Sequence, residues 1–126
     1  SLSNYKLLTG NMGFLYPCQL QEVLPGDSFR ATSAALIRVS PLVAPVMHPV
    51  TVRIHHWFVP HRIIWDDFED FITGGPDGTD NSAIPTHTIG GNYAFNNLLD
   101  YLGVPVNADT TGLAVNALPL RAYNKI

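Results

Sequence analysis

Prolines at positions 41, 45 and 49 punctuate the first half of the chain at intervals of four. A proline has no backbone N–H to donate to a β-ladder, and inside a helix it removes a hydrogen bond and clashes with the preceding turn. Residues 41–49 can therefore be neither the interior of a helix nor the middle of a sheet. They read as an extended connection, not a tight hairpin. On both sides of it the residues alternate. Phe29, Ala31, Ala35, Ile37 and Val39 fall on one side of the first segment, and Arg30, Thr32 and Arg38 on the other. Val50, Val52, Ile54 and Phe58 alternate with Thr51, Arg53, His55 and Trp57 in the second. A period of two is the mark of a half-buried strand, so Phe29–Val39 and Val50–Val59 are expected to be strands. Pro25-Gly26 predicts a turn leading into the first, and Pro60 ends the second.

The second half changes character. Trp65, Phe68 and Phe71/Ile72 recur at helical spacing over 65–72, with Gly74 as the stop and acidic residues in the first turns. Pro76-Asp77-Gly78 predicts a turn inside a polar loop from Gly75 to Gly91. Asn92 is placed to cap a helix carrying Phe95, Leu98, Leu99 and Leu102, ended by Gly103 and Pro105. Pro119 suits the first position of a last helix that still runs at Ile126. Ser1 is not a natural start, so further residues are expected before Ser1 and beyond Ile126.

Composition matters at one point. Charged residues make up 13% of the chain and apolar ones 46%, against roughly 25% charged in an ordinary soluble domain. A chain of 126 residues has much surface for its volume and needs polar groups to cover it. The deficit predicts that apolar surface is hidden against the rest of a longer chain or against neighbouring subunits. The net charge of −3 gives no overall basic field for nucleic acid. One cysteine, Cys18, excludes an internal disulfide and fits a reducing compartment. No apolar run approaches membrane-spanning length, and no signal peptide opens the chain.

Several residue groups invite chemistry and do not complete it. His48, His55, His56 and His61 lie close in sequence, but adjacent strand residues such as His55 and His56 point to opposite faces and cannot grip one ion. Asp66, Asp67, Glu69 and Asp70 spread around a helix, with nothing to raise one pKa selectively. Asp77–Ser82 is rich in oxygen ligands but lacks the alternating spacing and distal glutamate of a calcium loop. Cys18 has no histidine partner near it, and neither Gly74-Gly75 nor Gly90-Gly91 has the setting of a phosphate loop. No catalytic residue, cofactor or metal is expected. Phe29, Ile37, Ile54, Trp57, Phe58, Trp65 and Phe68 are the candidates for core or assembly contacts, and Arg53 and Arg62 for contacts with nucleic acid.

Specific strings then add to this reading. Glu22-Val23-Leu24-Pro25-Gly26-Asp27-Ser28-Phe29, Ala44-Pro45-Val46-Met47-His48 and the block from Trp57-Phe58-Val59-Pro60-His61-Arg62 to Asp66-Asp67-Phe68 resemble the major capsid protein of microviruses, the gokushovirus branch in particular. Phe71-Ile72-Thr73-Gly74-Gly75, Leu98 to Gly103 and Ala117 to Asn124 continue the resemblance in the same order, from about Leu8 to Ile126. The family's pattern runs on past Ile126 with aromatic and acidic residues that are absent here. The resemblance implies a mainly β fold, a viral jelly-roll (an antiparallel β-barrel) with long insertions carrying short helices. This chain would be an incomplete part of it: residues 20–60 supply barrel strands, and 61–126 a helix- and loop-rich insertion. It also implies a structural protein, with no enzymatic role. Many copies would close a T=1 icosahedral shell around circular single-stranded DNA, in a virion assembled in the bacterial host cytoplasm. Its partners would be other copies of itself, the packaged single-stranded DNA and other virion or scaffolding proteins, without a membrane. Two other classes fit parts of the sequence. One is a carbohydrate-binding jelly-roll module with Trp57 and Trp65 as its sugar platform. The other is a cupin-like metalloenzyme using His55, His56 or His61.

Overall fold

A computed structural model describes residues 1–91, 95–105 and 112–126. The chain divides into two units, one made of Ser1–Leu20 with Trp57–Ile126 and the other of Gln21–His56.

In the first unit, Pro60 sits at φ −62°, ψ 140° and starts helix α1 (His61–Ile64). The spacing of Trp65, Phe68 and Phe71 predicts one helix over 65–72, but the structure breaks it. Trp65 adopts φ −149°, ψ 106°, and helix α2 (Phe68–Thr73) follows after a turn. The extended backbone turns the indole inward. Trp65 is 6% exposed, with its ring centroid 4.8 Å from Phe71 and 5.8 Å from Phe68. Helical spacing thus identified side chains that share a cluster, although their backbone is not one continuous helix. Gly74 ends α2 as expected. It takes φ +84°, which only glycine adopts without strain, and its N–H donates to the Asp70 carbonyl at 2.8 Å. The turn at Pro76-Asp77 closes with Gly78 N–H to Gly75 O at 3.2 Å.

Strand β1 (Thr86–Thr88) lies inside the segment expected to be a polar loop. It pairs antiparallel with β2 (Ala114–Asn116), in the register Thr86↔Asn116, His87↔Val115, Thr88↔Ala114. Backbone bonds extend the ladder at both ends, Ile89 N to Leu113 O at 3.0 Å and Ala117 N to Pro85 O at 2.9 Å. Ile89 is the most enclosed large side chain of the described residues, at 2% exposure. Helix α3 (Leu98–Tyr101) is capped by Asn97, whose side chain accepts from the Leu99 N–H. The expected cap, Asn92, lies outside the described residues. Helix α4 (Leu118–Lys125) carries Pro119 in its first turn, as the sequence predicts. Arg121 ties it to the end of α1, donating from Nη1 to the Ile64 carbonyl at 3.0 Å.

Residues 1–20 contain no helix or strand. They are held to the rest of their unit by side chains. The Tyr101 hydroxyl donates to the Thr9 carbonyl at 2.6 Å. The Tyr123 hydroxyl donates to the Leu15 carbonyl at 2.7 Å. Lys6 Nζ donates to the carbonyls of Pro17 and Tyr101, the latter at the end of α3, where a cation meets the negative pole of the helix. Tyr16 packs edge-on against Tyr101 with centroids 4.7 Å apart.

The second unit overturns the fold expectation. Its turn forms as predicted: Asp27 N–H bonds to Leu24 O at 3.1 Å, and the Asp27 carboxylate accepts from Leu24 N–H. Beyond it, neither Phe29–Val39 nor Val50–Val59 is a strand, and the sheet β1–β2 lies outside both. Among the described residues there is one two-stranded sheet, so they do not form the strands of a jelly-roll barrel. The physical reason is that strands are defined by their neighbours. Alternation says which side chains share a face if a ladder forms, but each ladder hydrogen bond needs a second strand. Among the described residues no second strand lies alongside these segments.

Candidate functional site

Conventional site chemistry is missing from the described residues. No three of their His, Cys, Asp or Glu side chains converge as metal ligands. His48, His55 and His56 are exposed, and His61 packs edge-on against Phe68 with centroids 4.8 Å apart. The acidic run does not form a paired-carboxylate site. Asp70, Asp77 and Asp80 line a shallow, open depression with Gly74, Gly75, Pro76 and Thr79. Asp80 is occupied in capping its own loop, accepting from the Ser82 N–H at 3.1 Å and the Ser82 hydroxyl at 2.9 Å. A smaller apolar cleft lies between the β1–β2 sheet, α3 and α4, lined by Leu99, Leu102, Val104, Val115, Pro119 and Leu120 among others. Trp57 is 58% exposed whereas Trp65 is buried, so the two indoles do not present a joint sugar platform.

One titratable group is perturbed. Burial raises the Tyr101 phenol above its ordinary value of 10.0, and Tyr16 and the Asp100 carboxylate push in the same direction. A phenol that stays protonated keeps its donor for the Thr9 carbonyl, which makes Tyr101 a fastener of residues 1–20.

What distinguishes the molecule is apolar surface. In the first unit, Tyr5, Leu7, Met12 and Phe14 are 70–87% exposed. In the second, Leu36, Val43 and Met47 are at least 87% exposed. A folded monomer of 13.8 kDa is expected to expose about 6,600 Å², whereas this chain exposes 10,732 Å². Charge scarcity and apolar excess in the sequence pointed to this surface.

The candidate residues divide on it. Trp65 is buried and Phe68 half-buried within the first unit. Trp57 and Phe58 of that unit remain on the surface, as do Phe29, Ile37 and Ile54 of the second, each 46–78% exposed. Arg53 and Arg62 are also exposed. The apolar Ile84, Pro85 and Ile89 marked 84–89 as an ordered, packed stretch, and Ile89 is buried; the sequence reading missed Tyr101 and Ala117, both buried, and the tethers Lys6 and Tyr123. Tyr101 lay in plain sight, three residues after Leu98 in the helical string. The polar residues Thr86–Thr88 before Ile89 concealed the short strand they form.

Comparison with known proteins places these features. The profile of the capsid protein (F protein) family matches residues 1–126. The chain is 39% identical over 127 residues to capsid protein VP1 of Chlamydia phage 1, covering 94% of this chain and 21% of that protein. It is 36% identical over 116 residues to capsid protein VP1 of Bdellovibrio phage phiMH2K, covering 89% of this chain and 21% of the relative. With capsid protein VP1 of Spiroplasma virus 4 it shares 31% identity over 120 residues, again 21% of the relative and 92% of this chain. The chain thus spans about a fifth of the length of the curated relatives it matches. No solved structure matches it significantly.

Proposed function

The chain belongs to the capsid protein (F protein) family, and on that premise we propose that it is a segment of a structural major capsid protein whose copies assemble into a T=1 icosahedral shell around a circular single-stranded DNA genome. The observation that carries this reading is the match of the capsid protein (F protein) family to residues 1–126, with 31–39% identity to three capsid proteins VP1. A shell repeats the same contacts around its symmetry axes. Weak contacts repeated in every subunit make the whole stable while each remains reversible. Phe29, Ile37, Ile54, Trp57 and Phe58 are the residues we assign to burial in the assembled protein. Trp65 and Phe68 support the segment that carries Trp57 and Phe58. No residue needs to be catalytic, and the activity is assembly itself.

The finer parts of the proposal concern partners and place. Arg53 and Arg62, exposed on the chain, are assigned to contacts with the packaged DNA. Other virion or scaffolding proteins are the remaining partners. The protein resides in the virion and assembles in the cytoplasm of a bacterial host. The test is sedimentation and electron microscopy of the full-length protein. Closed shells or their pentameric precursors are the expected result. A monodisperse monomer at all concentrations would refute it, and would return the carbohydrate-binding and metalloenzyme readings to consideration.

A further inference from the structure

Two of the chain's five tyrosines meet across the fold of the first unit. Tyr16 lies in the segment without helix or strand, and Tyr101, 85 positions later in sequence, stands at the end of α3. Their ring centroids are nevertheless 4.7 Å apart, with an interplanar angle of 62°. The hydroxyl ends of the two rings converge. The Tyr101 hydroxyl donates to the Thr9 carbonyl at 2.6 Å. The Tyr16 hydroxyl donates to the Asn11 carbonyl at 3.0 Å and accepts from the Asn11 N–H at 2.8 Å. Both phenols are thus anchored on residues 9–11, and Gly10, between the two anchors, lies directly against Tyr16. A Cβ at position 10 would fall less than 3.0 Å from Cε2, Cζ and Oη of Tyr16. Cε2 is a ring carbon ortho to the hydroxyl.

Phenols held in this way are redox groups as well as packing groups. In a tyrosyl radical the unpaired electron is shared by the oxygen and the ring carbons ortho and para to it. The para carbon already bears the side chain, so two such radicals join through ortho carbons. Holding the rings in contact replaces a collision between molecules by a step within one. Burial then decides which partner each ring meets. Tyr101 is 8% exposed and Tyr16 is half-buried, so an oxidant in solution reaches Tyr16 first. Tyr101 can return an electron to Tyr16 across the contact, after which Tyr16 can be oxidised again. Tyr5, 84% exposed, instead presents its ring to other molecules.

We propose that Tyr16 and Tyr101 form a modification site at which a one-electron oxidant joins the two rings within one chain. The oxidant removes one electron and one proton from each phenol, and the two radicals form a bond between one ortho carbon of each ring. The hydrogen on each joined carbon is then lost as a proton while each oxygen takes a proton up, which restores both hydroxyls. The net change is the loss of two electrons and two protons, with two equivalents of oxidant reduced. Residues 1–20, held to their unit by side-chain hydrogen bonds and ring packing, become covalently tied to α3. Such a cross-link restricts the unfolded chain, as any bond between distant positions does. The proposal rests on the geometry of these two rings and is independent of the capsid reading.

The experiment treats the full-length protein with light, tris(bipyridyl)ruthenium and persulfate, a source of one-electron oxidant, and identifies linked peptides by mass spectrometry after digestion. The expected product joins the peptides carrying Tyr16 and Tyr101, with a mass two hydrogens below their sum. In a mixture of isotope-labelled and unlabelled protein it is expected to contain no mixed-label species. Tyr16→Phe and Tyr101→Phe are each expected to abolish it. Gly10→Ala keeps both phenols but displaces the Tyr16 ring, and is expected to lose most of the product. Wild type unfolded in urea is expected to lose most of it too, which keeps the test independent of how well any variant folds. Oxidation of the exposed Tyr5 in every sample shows that the oxidant acted. Wild type in which Tyr5 is oxidised and no Tyr16–Tyr101 product forms overturns the proposal. Equal yields from folded and unfolded wild type overturn it as well, because the folded contact would then have no part in the reaction. So does a mixed-label product, which would place the coupling between chains.

Discussion

Removed from the rest of a full-length protein, the 126-residue chain is expected not to persist as a compact monomer. The size of the effect follows from its surface. It exposes 10,732 Å², about 1.6 times the value for a globule of its mass. That area includes Leu36, Val43 and Met47, each at least 87% exposed, and no large side chain of the described residues besides Ile89 is fully enclosed. A surface of this kind drives association or leaves a collapsed, fluctuating state with exposed apolar groups. Sedimentation velocity, small-angle scattering, dye binding and thermal unfolding of residues 1–126 are the measurements. The expected outcome is concentration-dependent association or an expanded species, strong binding of an apolar dye and no sharp transition. A stable monomer with a radius of gyration near 14 Å, the value for a compact chain of this length, would overturn this expectation. A single cooperative transition with well-dispersed amide resonances would overturn it equally.

Other expectations concern single sites in the full-length protein. Ile37→Asp or Ile54→Asp should abolish soluble assembly, because an unpaired carboxylate buried in an interface costs several kcal/mol; wild-type particle yield from both would remove them from the buried set. Ile89→Ala should destabilise its unit by about 2–5 kcal/mol through lost burial and a residual cavity, read as faster amide exchange across β1–β2. Tyr101→Phe should cost about 1 kcal/mol, the worth of one hydrogen bond, and should raise protease sensitivity in residues 1–20 selectively. Because the folded Tyr101 pKa is raised from 10.0, its stabilisation is complete below pH 10 and is lost as pH climbs through the folded value. Protection of residues 1–20 should decline over that window in wild type and show no such Tyr101-linked decline in Tyr101→Phe. Limited proteolysis should cut near Asp77–Asn81, which is exposed, and spare Ile84–Ile89, where β1 and the Pro85–Ala117 backbone bond hold the chain; equal cutting in both would contradict this division.

The features legible in the sequence were those that one residue or one short window controls. Pro25-Gly26 makes its turn, Gly74 stops α2 at positive φ, and Pro119 stands in the first turn of α4, because proline fixes its own φ and glycine alone enters the left-handed region without strain. The shortage of charge likewise announced uncovered apolar surface, since it follows from counting side chains. Trp65 and Phe68 were legible as partners, whereas the break between α1 and α2 was not, because helical spacing describes faces and carries no information about whether the backbone is continuous. Pairing lay further out of reach. Thr86–Thr88 is a strand because Ala114–Asn116 lies beside it, although its own residues read as loop. Phe29–Val39 and Val50–Val59 alternate as strands should and form none. Tyr101 became a fastener only when the fold brought Thr9 within 2.6 Å of its hydroxyl. A turn or a helix stop is satisfied within a few residues of itself. A β-ladder, a buried phenol or a covered apolar face instead takes its free energy from atoms distant in the chain, and whether those atoms arrive is settled by the fold as a whole.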